Sequence, residues 1–128
     1  MGQQQLLLIV LGVIIVGIAV VVGINLFTAN SSESNRNGVI SDLTNLSALA
    51  QQHYRKPTAL GGGANTFTGW TLPGELDTTG HGTYAITVAA QAVTLVGTGR
   101  EKGNNGTSLV KVTMVVGPNS ITSTTINN

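Results

Sequence analysis

The N-terminal part of the chain is a continuous apolar run, so a helix formed by it would be apolar on every face. Residues Leu6–Ile24 form a run of 19 residues without a polar or charged side chain, LLLIVLGVIIVGIAVVVGI. About 20 apolar residues span the roughly 30 Å of bilayer hydrocarbon as one helix. A helix that is apolar all round must be buried on all sides. The pattern therefore predicts a helix from about Gln3 to Phe27, in an N-terminal segment 1–27 that lies in a membrane or packs against copies of the chain.

The next segment, 28–57, combines polar residues with an amphipathic helix. Asn25–Gly38 is rich in Ser and Asn, and it is interpreted as a linker or as a break where the helix bends. Pro57 marks the end of the following helix, because proline cannot continue one. Apolar residues recur at steps of three and four before it, which is typical of a helix with one apolar stripe: Val39, Ile40, Leu43, Leu46, Leu49 and Ala50.

The last segment, 58–128, contains a long αβ loop and a β-meander. Thr58–Gly82 is predicted to be the loop, with Phe67 and Trp70 as apolar anchors that pack over the helix or a sheet edge. Gly61–Gly63 within it is interpreted as a flexible stretch. From Thr83 the apolar period becomes two, which predicts three or four antiparallel strands.

We therefore expect an α+β fold. A long N-terminal apolar helix continues into the amphipathic helix, which packs on one apolar face of a small C-terminal antiparallel sheet. Turns are predicted at Lys102–Gly106 and Gly117–Asn119, where Gly, Asn and Pro cluster.

Charge limits the classes of partner. The net charge is +1, and 9% of the residues are charged, against about 25% in ordinary globular domains. A nucleic-acid partner is not expected, since nucleic-acid-binding proteins cluster Lys and Arg. Thr, Ser, Asn and Gly supply the polarity, which suits an extracellular or densely packed protein. Cys is absent, so disulfides and thiolate metal sites are excluded.

No arrangement of residues points to catalysis, a metal or a cofactor. His53 and His81 have no second ligand at metal-like spacing, and both are expected to be solvated. Glu75 and Asp77 are close enough in sequence to suggest calcium, but such pairs are usually solvated. No nucleophile motif or phosphate-binding loop is present. Three positions match the N-glycosylation acceptor pattern and are candidates for that modification: Asn30, Asn45 and Asn105.

The order of elements resembles the type IV pilin family, including the pseudopilins of type II secretion. The resemblance lies in the N-terminal LLLIVLGVIIVGIAVVVGI, the amphipathic VISDLTNLSALAQQHY and the strands after Thr83. It implies a prokaryotic subunit that is held in the inner membrane before a pilus assembly machinery polymerises it. It also implies that a leader ending in Gly is removed and the new first residue is methylated, which is Met1 if this chain is the mature form.

Two positions depart from the family. Family members usually have Glu at the fifth mature position, where this chain has Gln5. A buried amide can replace some hydrogen bonds at a lower desolvation cost, but it cannot form the ion pair. The usual helix-kinking Pro is replaced by Val22, and glycines are the candidates for that role. The residues expected to take part in filament assembly are Met1, Gln5, Leu6, Leu11, Gly12, Gly17 and Gly23.

Two functional hypotheses follow. In the first, the chain is the major structural subunit of an extracellular type IV pilus-like helical filament, a homopolymer on the cell surface with 1–27 in its axis. In the second, it is a single-span membrane-anchored protein that displays a small β-rich extracytoplasmic domain. Neither hypothesis includes enzymatic activity.

Overall fold

A computed structural model describes residues 2–128, and the chain divides into two compact units at the junction of Ser31 and Ser32. One helix is followed by a short 3-10 turn at Thr58–Leu60 and by one four-stranded sheet. The elements are α1 (Gly2–Arg55), β1 (Gly82–Val88), β2 (Val93–Lys102), β3 (Leu109–Val116) and β4 (Ile121–Ile126). The predicted α+β fold is confirmed.

Helix α1 is helical throughout, including the polar stretch for which the sequence suggested a linker or a bend. Asn25–Gly38 contains no proline, so nothing in it blocks the helical hydrogen bonds. Thr28 Oγ1 bonds back to the carbonyl of Ile24 at 3.0 Å, and Ser32 and Asn35 bond to the sheet side of their unit. Such contacts outweigh the weak helix propensity of Ser and Asn, because propensity is only a small bias. The helix ends two residues before Pro57, as predicted.

The sheet is an antiparallel meander in the order β1-β2-β3-β4. Ala85 pairs with Val96, Val96 with Thr113, and Thr113 with Thr125, so one rank of small side chains crosses all four strands. The register shifts in β2 between Thr98 and Lys102. Both predicted turns are present, since β2 and β3 are joined through Gly103–Ser108 and β3 and β4 through Gly117–Ser120.

The core lies between the second half of α1 and one face of β1–β3. The period of two is visible in β3, where buried and more exposed residues alternate. The sheet's inner face therefore covers the apolar stripe of the helix, as predicted. The buried apolar residues are Val39, Leu43, Leu46, Ala50, Phe67, Trp70, Tyr84, Val93, Leu95, Val110, Val112, Met114 and Val116.

The αβ loop is fastened to this core by its aromatic residues. Phe67 is fully buried, its amide donates to the carbonyl of Ala90, and its ring lies 4.8 Å from that of Tyr54. Trp70 is 8% exposed. Both therefore anchor the loop as well as filling the core.

The three loop glycines are required by the local geometry, Gly61 by its backbone conformation and Gly62 and Gly63 by close packing, so their interpretation as a flexible stretch is wrong. Gly61 has a φ of 84°, a left-handed conformation that favours glycine. A Cβ on Gly62 would collide with the backbone of Lys56, and one on Gly63 with the carbonyl of Thr66. The chain folds back tightly on the helix end here, which only glycine allows.

Replacing Phe67 with Ala should destabilise the C-terminal unit by about 3–5 kcal/mol, because it removes a fully buried ring and leaves a cavity. The matched control is Leu60→Ala in the same loop, since Leu60 is 66% exposed. That change should alter stability by less than about 0.5 kcal/mol. Urea unfolding of the full chain in detergent micelles measures both, and equal effects would contradict the assigned role of Phe67.

Candidate functional site

The largest unexplained feature of the N-terminal unit is its surface. Every residue from Gly2 to Asn30 is exposed. Between Leu6 and Phe27, 17 large apolar side chains are exposed, with exposed fractions from 51% to 75%. Transfer of such side chains out of water is worth about 1.5–3 kcal/mol each. We call these 17 side chains the apolar surface. Their burial needs lipid or other protein, because the chain itself does not bury them.

The residues expected to take part in assembly lie on or beside the apolar surface. Leu6 and Leu11 are 63% and 52% exposed, and Gln5 is exposed one turn from the helix start. A Cβ added to Gly12, Gly17 or Gly23 would meet no atom within 4 Å. These glycines therefore leave open surface on the helix instead of accommodating a neighbour within the chain. Met1 lies outside the described residues.

Helix α1 is the one described helix that is long and apolar enough to cross a membrane. None of its most apolar window is buried, which distinguishes it from the core helix of a soluble protein. By length and composition it is suited to be a membrane anchor. The unit 1–31 also contains no charged side chain, so all eleven charges of the chain lie in 32–128.

In the C-terminal unit, polar residues of α1 hold the end of the β2–β3 hairpin. The Asn35 side chain accepts from the amides of Arg100 and Glu101 at 3.0 and 3.2 Å, and it donates to the carbonyl of His81 at 2.8 Å. The hydroxyl of Ser32 donates to the carbonyl of Lys102. These bonds satisfy backbone groups where the register of β2 shifts.

Arg36 completes this contact and is only 6% exposed. Its guanidinium donates to the carboxylate of Glu33 and to the side-chain oxygen of Asn104, each at 2.8 Å. The sequence interpretation missed this residue, although a signal was present. Arg36 lies three residues before Val39, at a position where the helical apolar stripe predicts burial. A charged residue at a stripe position indicates a buried, paired charge.

A second polar cluster joins α1 to β1. The carboxylate of Asp42 accepts hydrogen bonds from the hydroxyls of Tyr84 and Thr79, the latter at 2.7 Å. Burial first, and then the bond to Asp42, raise the pKa of Tyr84 above its ordinary value of 10.0. The cluster holds the Tyr84 hydroxyl in its neutral form. Its hydrogen bonds fasten the helix to the sheet.

The two histidines have different surroundings. His81 is exposed as expected, and its ring stands over Gly38, where a Cβ would collide with it. His53 was expected to be solvated, and this is wrong, because its Nε2 is buried and has no hydrogen-bond partner in the described chain. The loop at Gly63 folds back over it, with the Gly63 amide bonded to the His53 carbonyl at 2.8 Å. No group of metal-ligating side chains forms within residues 2–128.

The candidate glycosylation sites differ in accessibility. Asn45 lies within α1, and Ser47 of its motif is 3% exposed with its hydroxyl bonded to the carbonyl of Thr44. Asn30 also lies within the helix. Asn105 lies in the exposed β2–β3 turn, where its side-chain oxygen accepts from the amides of Thr107 and Ser108. Of the three, Asn105 alone presents its motif in an exposed turn.

No family model, curated protein or solved structure matches the chain.

The raised pKa of Tyr84 predicts how stability changes in alkali. Above pH 10.0 the unfolded chain loses the Tyr84 proton while the folded chain keeps it, so the unfolded state binds fewer protons. Stability should therefore be complete below pH 10 and fall as the pH rises above it. Tyr84→Phe should show a shallower loss, measured by urea unfolding below and above pH 10. Parallel curves for the two proteins would contradict the assignment.

Proposed function

We propose that this chain is the structural subunit of an extracellular, type IV pilus-like helical filament that polymerises through residues 1–27. The apolar surface carries the proposal. Its 17 side chains correspond to tens of kcal/mol of burial, more than the roughly 5–15 kcal/mol that stabilises a whole domain. The chain therefore has to be covered by lipid, by copies of itself, or by each in turn.

The distribution of polarity favours copies of the chain as the final cover. The helix is apolar around its whole circumference, which suits a bundle in which neighbours approach from every side. A contact that repeats between different surfaces of identical subunits builds an open helical polymer. Only 9% of the residues are charged, and a dense polymer tolerates a neutral Thr- and Asn-rich surface. The resemblance to type IV pilins supports the same assignment and adds an inner-membrane stage with a pilus assembly machinery.

The proposed role is structural, with no catalytic step and no nucleic-acid partner. In the filament the apolar helices occupy the axis, and the sheet of the C-terminal unit lies outside. The amide of Gln5 would be buried among neighbouring helices, where it donates and accepts hydrogen bonds at a lower desolvation cost than a carboxylate. Asn105 would be the accessible position for a glycan on the filament surface.

A single-span membrane protein is the second candidate, since the length of α1 suits a bilayer equally well. Electron microscopy of negatively stained, detergent-free material from expressing cells separates the two. We expect long fibres of uniform width. Material that contains only monomers in membrane vesicles would favour the anchor.

Replacing Gly17 with Glu should abolish fibres, because it places a charge in the middle of the apolar surface, where burial costs several kcal/mol. Gly74→Glu is the matched control, since Gly74 lies in an exposed turn and its Cβ would meet no atom within 4 Å. That variant should form fibres like those of the unaltered chain. Fibre yield is measured by sedimentation and microscopy, and normal fibres from Gly17→Glu would argue strongly against an axial helix.

A further inference from the structure

The outward side of the second half of α1 has an unusual composition for a solvated helix. Six exposed residues opposite the core form what we call the outer strip, and none is charged: Ser34, Asn37, Ser41, Asn45, Ala48 and Gln52. Exposed helix faces normally carry both charged and polar residues, and the outer strip lacks the charged ones. Unpaired charges of opposite sign lie beside the strip, Asp42 near its middle and Arg55–Lys56 at its C-terminal end, and they indicate what covers it.

The acidic charge beside the strip is Asp42. It lines a shallow cleft on the helix together with Ser41, Thr44, Asn45 and Ala48. Within residues 2–128 the one ion pair is between Arg36 and Glu33. Asp42 accepts hydrogen bonds from hydroxyl groups and forms no ion pair within these residues.

The basic end is formed by Arg55 and Lys56, which line an adjoining cleft with Ala48, Gln51 and Gln52. Arg55 donates to the side-chain oxygen of Asn119 at 3.2 Å, and neither cation has an acidic partner among residues 2–128. Thirteen residues of helix separate Asp42 from Arg55, a rise of about 20 Å. The two clefts therefore carry opposite charges and meet at Ala48.

We propose that the outer strip is a contact between copies of this chain, in which the Arg55–Lys56 end of one subunit lies in the Asp42 cleft of the next. This inference rests on the proposed filament. When parallel subunits are displaced by about 20 Å along the helix, Arg55–Lys56 of one subunit comes next to the Asp42 cleft of its neighbour. Each contact uses two different surfaces, so the arrangement repeats without closing. The charge pair sets how far one subunit is displaced from the next and in which direction the two helices run. Complementary charges usually contribute to an interface in this way.

A charge reversal with a compensating change tests the contact. Lys56→Glu should raise the protein concentration needed for fibres about tenfold, since like charges then face each other. Adding Ser41→Lys beside Asp42 should restore assembly. Lys111→Glu is the matched control, because Lys111 is an exposed cation on the outer face of the sheet, and it should assemble normally. Unchanged assembly by Lys56→Glu overturns the inference and leaves the filament standing.

Cross-linking reads the contact directly, because the chain has no cysteine of its own. Oxidation of the Ser41→Cys, Gln52→Cys double variant should give a ladder of multimers, while each single variant gives monomers. Efficient dimers from Ala48→Cys alone would mean that two copies pair antiparallel through the middle of the strip, which overturns the proposed direction. Absence of fibres from the unaltered chain contradicts the filament itself, and this outcome is separate from the results with the variants.

Discussion

The apolar surface of the N-terminal helix is the constraint on which the rest of the molecule depends. Hydrophobic burial is proportional to area and has no preferred direction. A helix exposed along Leu6–Phe27 therefore leaves water readily, but it does not choose between lipid and other helices. The three glycines and the lack of charge fit both surroundings. Such a helix can be held in a bilayer and later packed among its copies. The difference in free energy between these two surroundings is small compared with the free energy of exposing the helix to water.

The core of the C-terminal unit is built without the first half of α1. Its core is complete with residues from Val39 to Val116, and the first half of α1 contributes no buried residue. Polar contacts fix the remaining part of the helix on the sheet. Asn35 satisfies backbone groups where β2 changes register, and Asp42 is tied to Tyr84 and Thr79. Because none of these contacts uses a residue of the apolar surface, we expect the unit to keep its fold whether lipid or other helices cover that surface.

The helix and the strands could be predicted because the spacing of apolar residues that indicates each one involves only neighbouring positions in the sequence. Steps of three and four near Val39 and alternation after Thr83 indicated a helix and a sheet, and Pro57 indicated the helix end. Tertiary effects could not be predicted in this way. In the polar stretch before Val39, Ser32 and Asn35 support the helix through partners distant in sequence. The glycines at 61–63 are needed because the chain turns back on Lys56. Arg36 could have been found, since it occupies a stripe position. The candidate site itself, an apolar helix at the N-terminus, could be predicted from hydropathy alone.

The apolar surface has no polar or charged side chain. The specific alignment of subunits in the proposed filament therefore has to come from polar and charged residues elsewhere in the chain. All charged side chains lie beyond Ser31, and Gln5 supplies a neutral amide rather than a carboxylate. An amide can be buried without a counter-charge, but it forms no ion pair that could fix one subunit of the proposed filament against the next. The nearest charges able to replace that function are the unpaired ones on the second half of α1. Asp42 and the Arg55–Lys56 pair then carry the register, while the apolar surface supplies most of the free energy of assembly.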